Sequence, residues 1–246
     1  MNHSTKGIVL KSTRYGETSL IVSIFTELFG LQQYILNGVR SSSKKGPGKA
    51  NLFQPAAQLD LIVYHNDLKN LQRIKESQWA YLYNEIFFDV FKSAVATYMV
   101  ELLQKCLKQP EANPDLFYFM EDSLQHLDRA TPHEVANFPI FFAVHLANFF
   151  GFRIPDEYSE ENSILDLQEG IFTSHPPEHY HFLEGELSAV TSQFLKVLQP
   201  HELNQIRLNV AVRRQLLRSM ETFYALHVPD FGNLRSLQVL QEVLSS

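Results

Sequence analysis

The chain has 246 residues, 45% hydrophobic and 20% charged, which is enough apolar material for one or two cores and too much for a disordered chain. Its single cysteine excludes an intramolecular disulfide and a Cys-rich zinc site, and no apolar run is long enough to span a membrane as a helix. The net charge of −6 argues by itself against a polyanion partner, but the charge is segregated. Residues 1–75 carry ten Lys/Arg against four Asp/Glu, residues 76–200 six against nineteen, and residues 201–246 five against four. A basic front and an acidic middle suit a partner that meets one end of the sequence only. The polar N-terminus has no signal-peptide layout, and with the lone thiol this predicts a cytoplasmic protein.

Residues 5–14 read as a strand, with Ile8 and Leu10 on one face and Val9 on the other. A turn at 15–17 leads to residues 18–28, where β-branched and aromatic residues alternate. Phe29-Gly30 is a second turn, and 31–40 a third strand. Residues 58–64 place Leu59, Leu61 and Val63 on one face and Asp60, Ile62 and Tyr64 on the other. Residues 68–75 form a weaker fifth strand. Five short strands fit an OB-type barrel. An SH3-like barrel has the same count, and spacing alone does not separate the two.

From Trp79 the period becomes helical, with Tyr83, Phe87, Phe91, Ala94, Tyr98 and Leu102 on one stripe. Asn113-Pro114 pairs a capping residue with a first-turn proline and opens a helix through Leu127. Thr131-Pro132-His133-Glu134 forms a capping box. Its helix runs to Phe150 and stops at Gly151, with a kink or break expected near Pro139. Phe138, Phe141, Phe142, Phe149 and Phe150 make that helix the centre of a second core. Residues 153–181 are irregular and acidic, with a hairpin at 165–172 turning on Glu169-Gly170. Helices follow at 186–198, 203–227 and 234–244. The expected fold is α+β, a five-stranded barrel domain at 1–78 followed by a mostly helical domain at 79–246.

The stretch from Ile35 to Lys49 carries the strongest functional signal. It begins as a strand and ends as a Gly/Ser-rich loop bearing Arg40, Lys44, Lys45 and Lys49 with no acidic residue between them. Such a loop suits a phosphate backbone. Lys6, Lys11 and Arg14 add to it if the first strand lies alongside. Tyr34 and Tyr15 are the candidate stacking rings, the other barrel aromatics being needed inside. Neutralising four phosphates of a single strand gives a log–log salt slope of about −3.

Arg213, Arg214 and Arg218 are the basic cluster of the helical part, and with Arg207 they suit an acidic peptide. Pairing with the chain's own acidic middle is the other reading. His175, His179 and His181 crowd a proline-stiffened segment. They suggest a metal-dependent hydrolase as a rival function, but without helical ligand spacing or a Cys pair no metal or cofactor is expected. A second rival is an adaptor that binds protein only.

The order of these pieces resembles the RecO family of recombination mediators. Gly7-Ile8-Val9-Leu10, Tyr15-Gly16-Glu17 with Ser19-Leu20-Ile21-Val22, Phe25-Thr26 and Gly30 carry the resemblance. So do Asn37-Gly38-Val39-Arg40 with the Ser/Lys loop, Leu52-Phe53-Gln54-Pro55, and Leu234-Arg235-Ser236-Leu237 with Val239-Leu240. It is dense over 7–75, sparse in the middle, and returns at 151–155 and 227–240. It implies an OB-type barrel, binding of single- and double-stranded DNA, strand annealing, and RecA loading on DNA coated by single-strand-binding protein (SSB). The implied partners are RecR and the acidic, hydrophobic SSB C-terminal tail, with no catalysis, no membrane, and a monomer when free. Many relatives carry a four-cysteine zinc site after the segment matching 151–155. Here that region holds only histidines, so zinc is not expected.

Overall fold

The computed structural model describes residues 2–39 and 47–244, without the side chains of 47–49. Two compact units emerge, residues 1–84 with 107–125 and residues 85–106 with 126–246.

In the first unit β1 (Asn2–Tyr15), β2 (Ser19–Thr26), β3 (Gly30–Leu36), β4 (Gln58–Tyr64) and β5 (Leu71–Tyr81) close into a barrel in the order β1-β2-β3-β5-β4. Only the β3–β5 pair is parallel. This is the OB-type arrangement, which strand spacing could not distinguish from an SH3-like one. A short helix, α1 (Pro47–Leu52), lies between β3 and β4. Leu59, Leu61 and Val63 are buried as the alternation of β4 requires. In β1 strict alternation fails. The register slips between Val9 and Lys11, and Ile8, Val9 and Leu10 are all buried. The bulge frees the Val9 backbone, whose N–H donates to the Ala57 carbonyl (3.0 Å) and whose carbonyl accepts from Ala56 (2.8 Å). Gly7 lies in the tightest part of the wall. A Cβ there would lie 2.6 Å from Ile24 Cγ2 and 2.8 Å from Leu61 Cδ1.

Trp79 does not open the helical domain. It pairs with Leu59, and Tyr81 with Gln58, so β5 runs past the expected boundary at 78. The helical stripe misled because Trp79 and Tyr81 also satisfy an alternating, half-buried strand. The first long helix, α2 (Val90–Cys106), starts nine residues after the strand ends. Next comes α3 (Pro114–Arg129), capped by Asn113 Oδ1, which accepts from Leu116 N–H at 3.0 Å. Its residues 114–125 belong to the barrel unit. There Phe117 packs on Phe25 with ring centroids 5.7 Å apart, and Gln58 Nε2 donates to the Glu121 carbonyl at 3.0 Å.

In the second unit α4 (Pro132–Leu146) carries the expected capping box. Pro139 does not break it. The missing N–H costs one backbone bond, in a helix whose Phe138, Ile140, Phe142 and Ala143 are all buried. A 3₁₀ turn, Ala147–Phe149, ends the run before Gly151 at φ +81°. The expected hairpin forms as β6 (Ile164–Asp166) and β7 (Ile171–Thr173), with Gly170 at φ +69°. Asp166 Oδ1 accepts from the N–H groups of Gln168 and Glu169 at 2.8 and 3.1 Å. A third strand, β8 (Phe182–Leu183), is only two residues long and gives no periodic signal. After α5 (Gly185–Lys196), the long helix expected from 203 is two elements, a 3₁₀ turn at Pro200–Gln205 and α6 (Val210–His227). Asn209 divides them, its side chain capping Val212 N–H at 2.9 Å. The last helix is α7 (Arg235–Val243). Among the described residues no helix is long and apolar enough to cross a membrane.

Candidate nucleic-acid interface

A groove of about 840 Å³ opens in the barrel unit between the end of β3, the middle of β4 and most of β5. Asn37 and Val39 line it on one side of the basic segment, and Leu52 and Phe53 on the other. Arg40, Lys44 and Lys45 lie outside the described residues, as does the Lys49 side chain. The groove adds two cations that sequence reading missed, Arg73 and Lys75. Both are exposed on β5, where Gln72 between them and Leu71 points inward. Their signal in the sequence was two basic residues at alternate positions of a strand. Lys75 Nζ lies 3.4 Å from Glu76 Oε1. Among the described residues no carboxylate pairs with Arg73. Asp60 and Glu76 are the acidic groups of the lining.

Arg14 and Lys11 are exposed. Arg14 lies in register with Leu20, which is in register with Leu36 of the groove. Two inter-strand steps put it about 10 Å away. Hydrogen bonds tie these strand ends to the loop's flanks. Ser12 Oγ donates to the Phe53 carbonyl, and Ser19 Oγ meets Asn37 Oδ1 at 3.3 Å.

Of two further expected contacts, Lys6 has a protein partner and Tyr34 is corrected. Lys6 Nζ donates to both oxygens of the buried Glu121 (2.9 and 3.2 Å), and that hydrogen bond raises its pKa. It lies opposite Asp60, a lining residue of the groove, but its ammonium is taken up by the α3 carboxylate. Tyr34 is 0% exposed. It points into the barrel, burial pushes its phenol pKa well up, and among the described residues its hydroxyl has no hydrogen-bond partner. It cannot stack on a base. Among the described residues the only aromatic lining this groove is Phe53, itself buried, so these residues offer charge and amides rather than ring faces.

Two family models match the chain, Recombination protein O N terminal over residues 1–83 and Recombination protein O C terminal over residues 88–238. The chain belongs to the RecO family. Curated relatives named DNA repair protein RecO bear this out at full length. Those of Phocaeicola vulgatus and Flavobacterium psychrophilum are 31% identical over 245 and 247 residues, covering 100% of both chains in each comparison. That of Christiangramia forsetii is 30% identical over 239 residues, 97% of this chain and 98% of its own.

In this RecO-family chain the four expected peptide-binding arginines part company. Arg213 is 8% exposed, its Nε and Nη2 donating to Asn137 Oδ1 and Nη2 also to the Leu208 carbonyl, all at 3.4 Å. Burial lowers its pKa, and it serves as a core strut between α6 and α4, not as a partner contact. Arg207 is exposed before α6, and Arg214 and Arg218 are exposed on it. Arg218 lines a groove of about 420 Å³ with Tyr180, Phe182, Leu183 and Leu187.

The three histidines of the rival hydrolase reading serve the local fold. His175 Nδ1 meets Ser174 Oγ at 2.8 Å, and His179 Nε2 lies 3.3 Å from Asp166 Oδ2. His179 Nδ1 accepts from His181 N–H at 3.2 Å. Among the described residues no three His, Cys, Asp or Glu side chains converge as a metal-ligand set.

Proposed function

We propose that this chain is a non-catalytic recombination mediator that grips the phosphates of single- and double-stranded DNA with its barrel. The observation that carries the reading is the groove whose rim is formed by both flanks of the four-cation segment and whose β5 wall presents Arg73 without a carboxylate partner among the described residues. Phosphate contacts position a strand and carry no sequence information. A basic surface that screens two strands at once lowers their mutual repulsion, which is a physical route to annealing. Family membership supports RecA loading on SSB-coated DNA, with RecR as partner, in the cytoplasm and as a free monomer. For the acidic, hydrophobic SSB tail, the Arg218 groove supplies one cation beside an apolar wall.

Fluorescence polarisation with labelled oligonucleotides across a salt series tests the DNA reading. The loop cations and Arg73 together predict a slope of about −0.7 × 5, near −3.5, for single strands. Arg73→Ala should flatten it by about 0.7, and Lys44→Ala/Lys45→Ala/Lys49→Ala by about 2. Equal slopes for wild type and both variants overturn the reading.

A further inference from the structure

At the other end of β3 the barrel unit carries a second groove, of about 760 Å³, which shares no lining residue with the first. Its walls are the β2–β3 turn, the start of β3, the 65–72 connection and the strap 108–112. Its chemistry differs from that of the loop-side groove. Phe29 and His65 stack, with ring centroids 3.9 Å apart and planes 14° from parallel; Phe29 is half-buried, and the His65 side chain behind it is only 13% exposed. His65 Nε2 also meets Asp67 Oδ1 at 2.8 Å, and Asp67 is the one carboxylate side chain among the described lining residues. Lys69 and Lys108 flank the rings. Both are exposed, and among the described residues neither has an ion-pair partner. The strap that carries Lys108 is seated tightly. Gly30 adopts φ +60°, and a Cβ there would lie 2.1 Å from the Glu111 carbonyl oxygen.

We propose that this second groove holds the unpaired bases of a single nucleic-acid strand, with the Phe29–His65 stack as platform and Lys69 and Lys108 on the adjoining phosphates. The proposal rests on the reading that the barrel binds nucleic acid, and it names the form that this end prefers. A ring platform between cations is what single strands use, because every unpaired base has a free π-face. A duplex stacks its bases on one another and can use the lysines alone. An acidic peptide likewise would engage the lysines and leave the rings idle. From Gln33 to Ile35 the two grooves are about 7 Å apart along β3, so one strand can lie across both, its phosphates at the loop end and its bases at the other.

The test uses the full chain, with a labelled single-stranded oligonucleotide, the matching duplex and a labelled acidic peptide. Phe29→Leu keeps apolar bulk and removes the π-face. It should weaken single-strand binding by fivefold or more and duplex binding by less than twofold, and Phe29→Trp should restore the single-strand affinity. Lys69→Gln/Lys108→Gln should flatten the single-strand salt slope by about 1.4, a loss of about 25-fold at 0.1 M relative to 1 M salt. Single-strand binding unchanged in both variants overturns the proposal. So does an equal loss of single strand and duplex in Phe29→Leu, or loss of the peptide alone in the lysine variant. If wild type binds neither oligonucleotide, the DNA reading fails as well. If it binds both and Phe29→Leu matches it, only the second groove is lost.

Discussion

Lys6 and Lys11 lie on one strand five residues apart, and their surroundings give them different work. Lys11 faces solvent, whereas Lys6 is tied to the buried carboxylate of Glu121. Removing the lysine leaves that carboxylate without its charged donor, a loss softened by the half-exposed ammonium. Lys6→Ala should therefore cost about 1–2 kcal/mol in urea unfolding while changing oligonucleotide affinity by less than twofold. Tyr34 is the converse case. Its buried hydroxyl has no partner among the described residues, so the native state bears a desolvation cost that Phe would not. Tyr34→Phe should leave stability unchanged or raise it by about 1 kcal/mol, with DNA affinity unaffected. His145 carries a sign that can be worked out. Burial lowers its pKa below the ordinary 6.5, and its Nε2–H donates to the Phe194 carbonyl at 3.1 Å. As pH falls below 6.5 the unfolded chain takes up a proton that the native chain refuses. The stabilisation is complete above pH 6.5 and declines as pH drops through the native value, by at most about 1.4 kcal/mol per pH unit. Denaturant midpoints between pH 7.5 and 5 should fall more steeply in wild type than in His145→Gln.

At the level of elements, the β2–β3 turn is fixed by one residue. Gly30 combines a left-handed backbone with direct contact between its Cα and the 110–111 strap. An alanine must bear the strain of positive φ and displace Glu111, so Gly30→Ala should lower the unfolding free energy by about 2 kcal/mol or more. Hydrogen exchange should rise first in the strap. This contact was invisible in the sequence, where Gly30 read simply as a turn residue, because its partner lies eighty positions away. What was legible was local. Asn113, Thr131 and Glu134 announce helix starts by their own hydrogen bonds, and β4 announces itself by alternation. What misled was also local: Trp79 stands four residues before Tyr83 on a helical stripe but also alternates with Tyr81 as in a strand, and cross-strand pairing with β4 decides between them. The site divides in the same way. The loop cations could be read from composition, whereas Arg73 and Lys75 acquire meaning only when β5 closes the barrel in the groove that Val39 and Leu52 also line. Tyr34 showed its β3 position but not which face is inside, and a one-residue change of parity moves a ring from solvent to core.

For the whole molecule, the structure redraws the charge map. Residues 107–125 join the barrel unit, which then holds eleven Lys/Arg and nine Asp/Glu, against ten and eighteen in the other. The front of the chain is thus less basic as a folded unit than as a stretch of sequence, and binding must depend on where its cations are placed. At 0.15 M salt the Debye length is about 8 Å, so a charge acts on a phosphate only from close by. Arg73→Glu and Arg207→Glu change the net charge identically, from −6 to −8, and both residues are exposed. One lines the loop-side groove and the other precedes α6. Arg73→Glu should weaken oligonucleotide binding by tenfold or more at low salt and flatten the salt slope, whereas Arg207→Glu should change neither beyond twofold. Equal losses in the two variants would mean that the molecule meets DNA through its average field, and the grooves would then have no special part in binding.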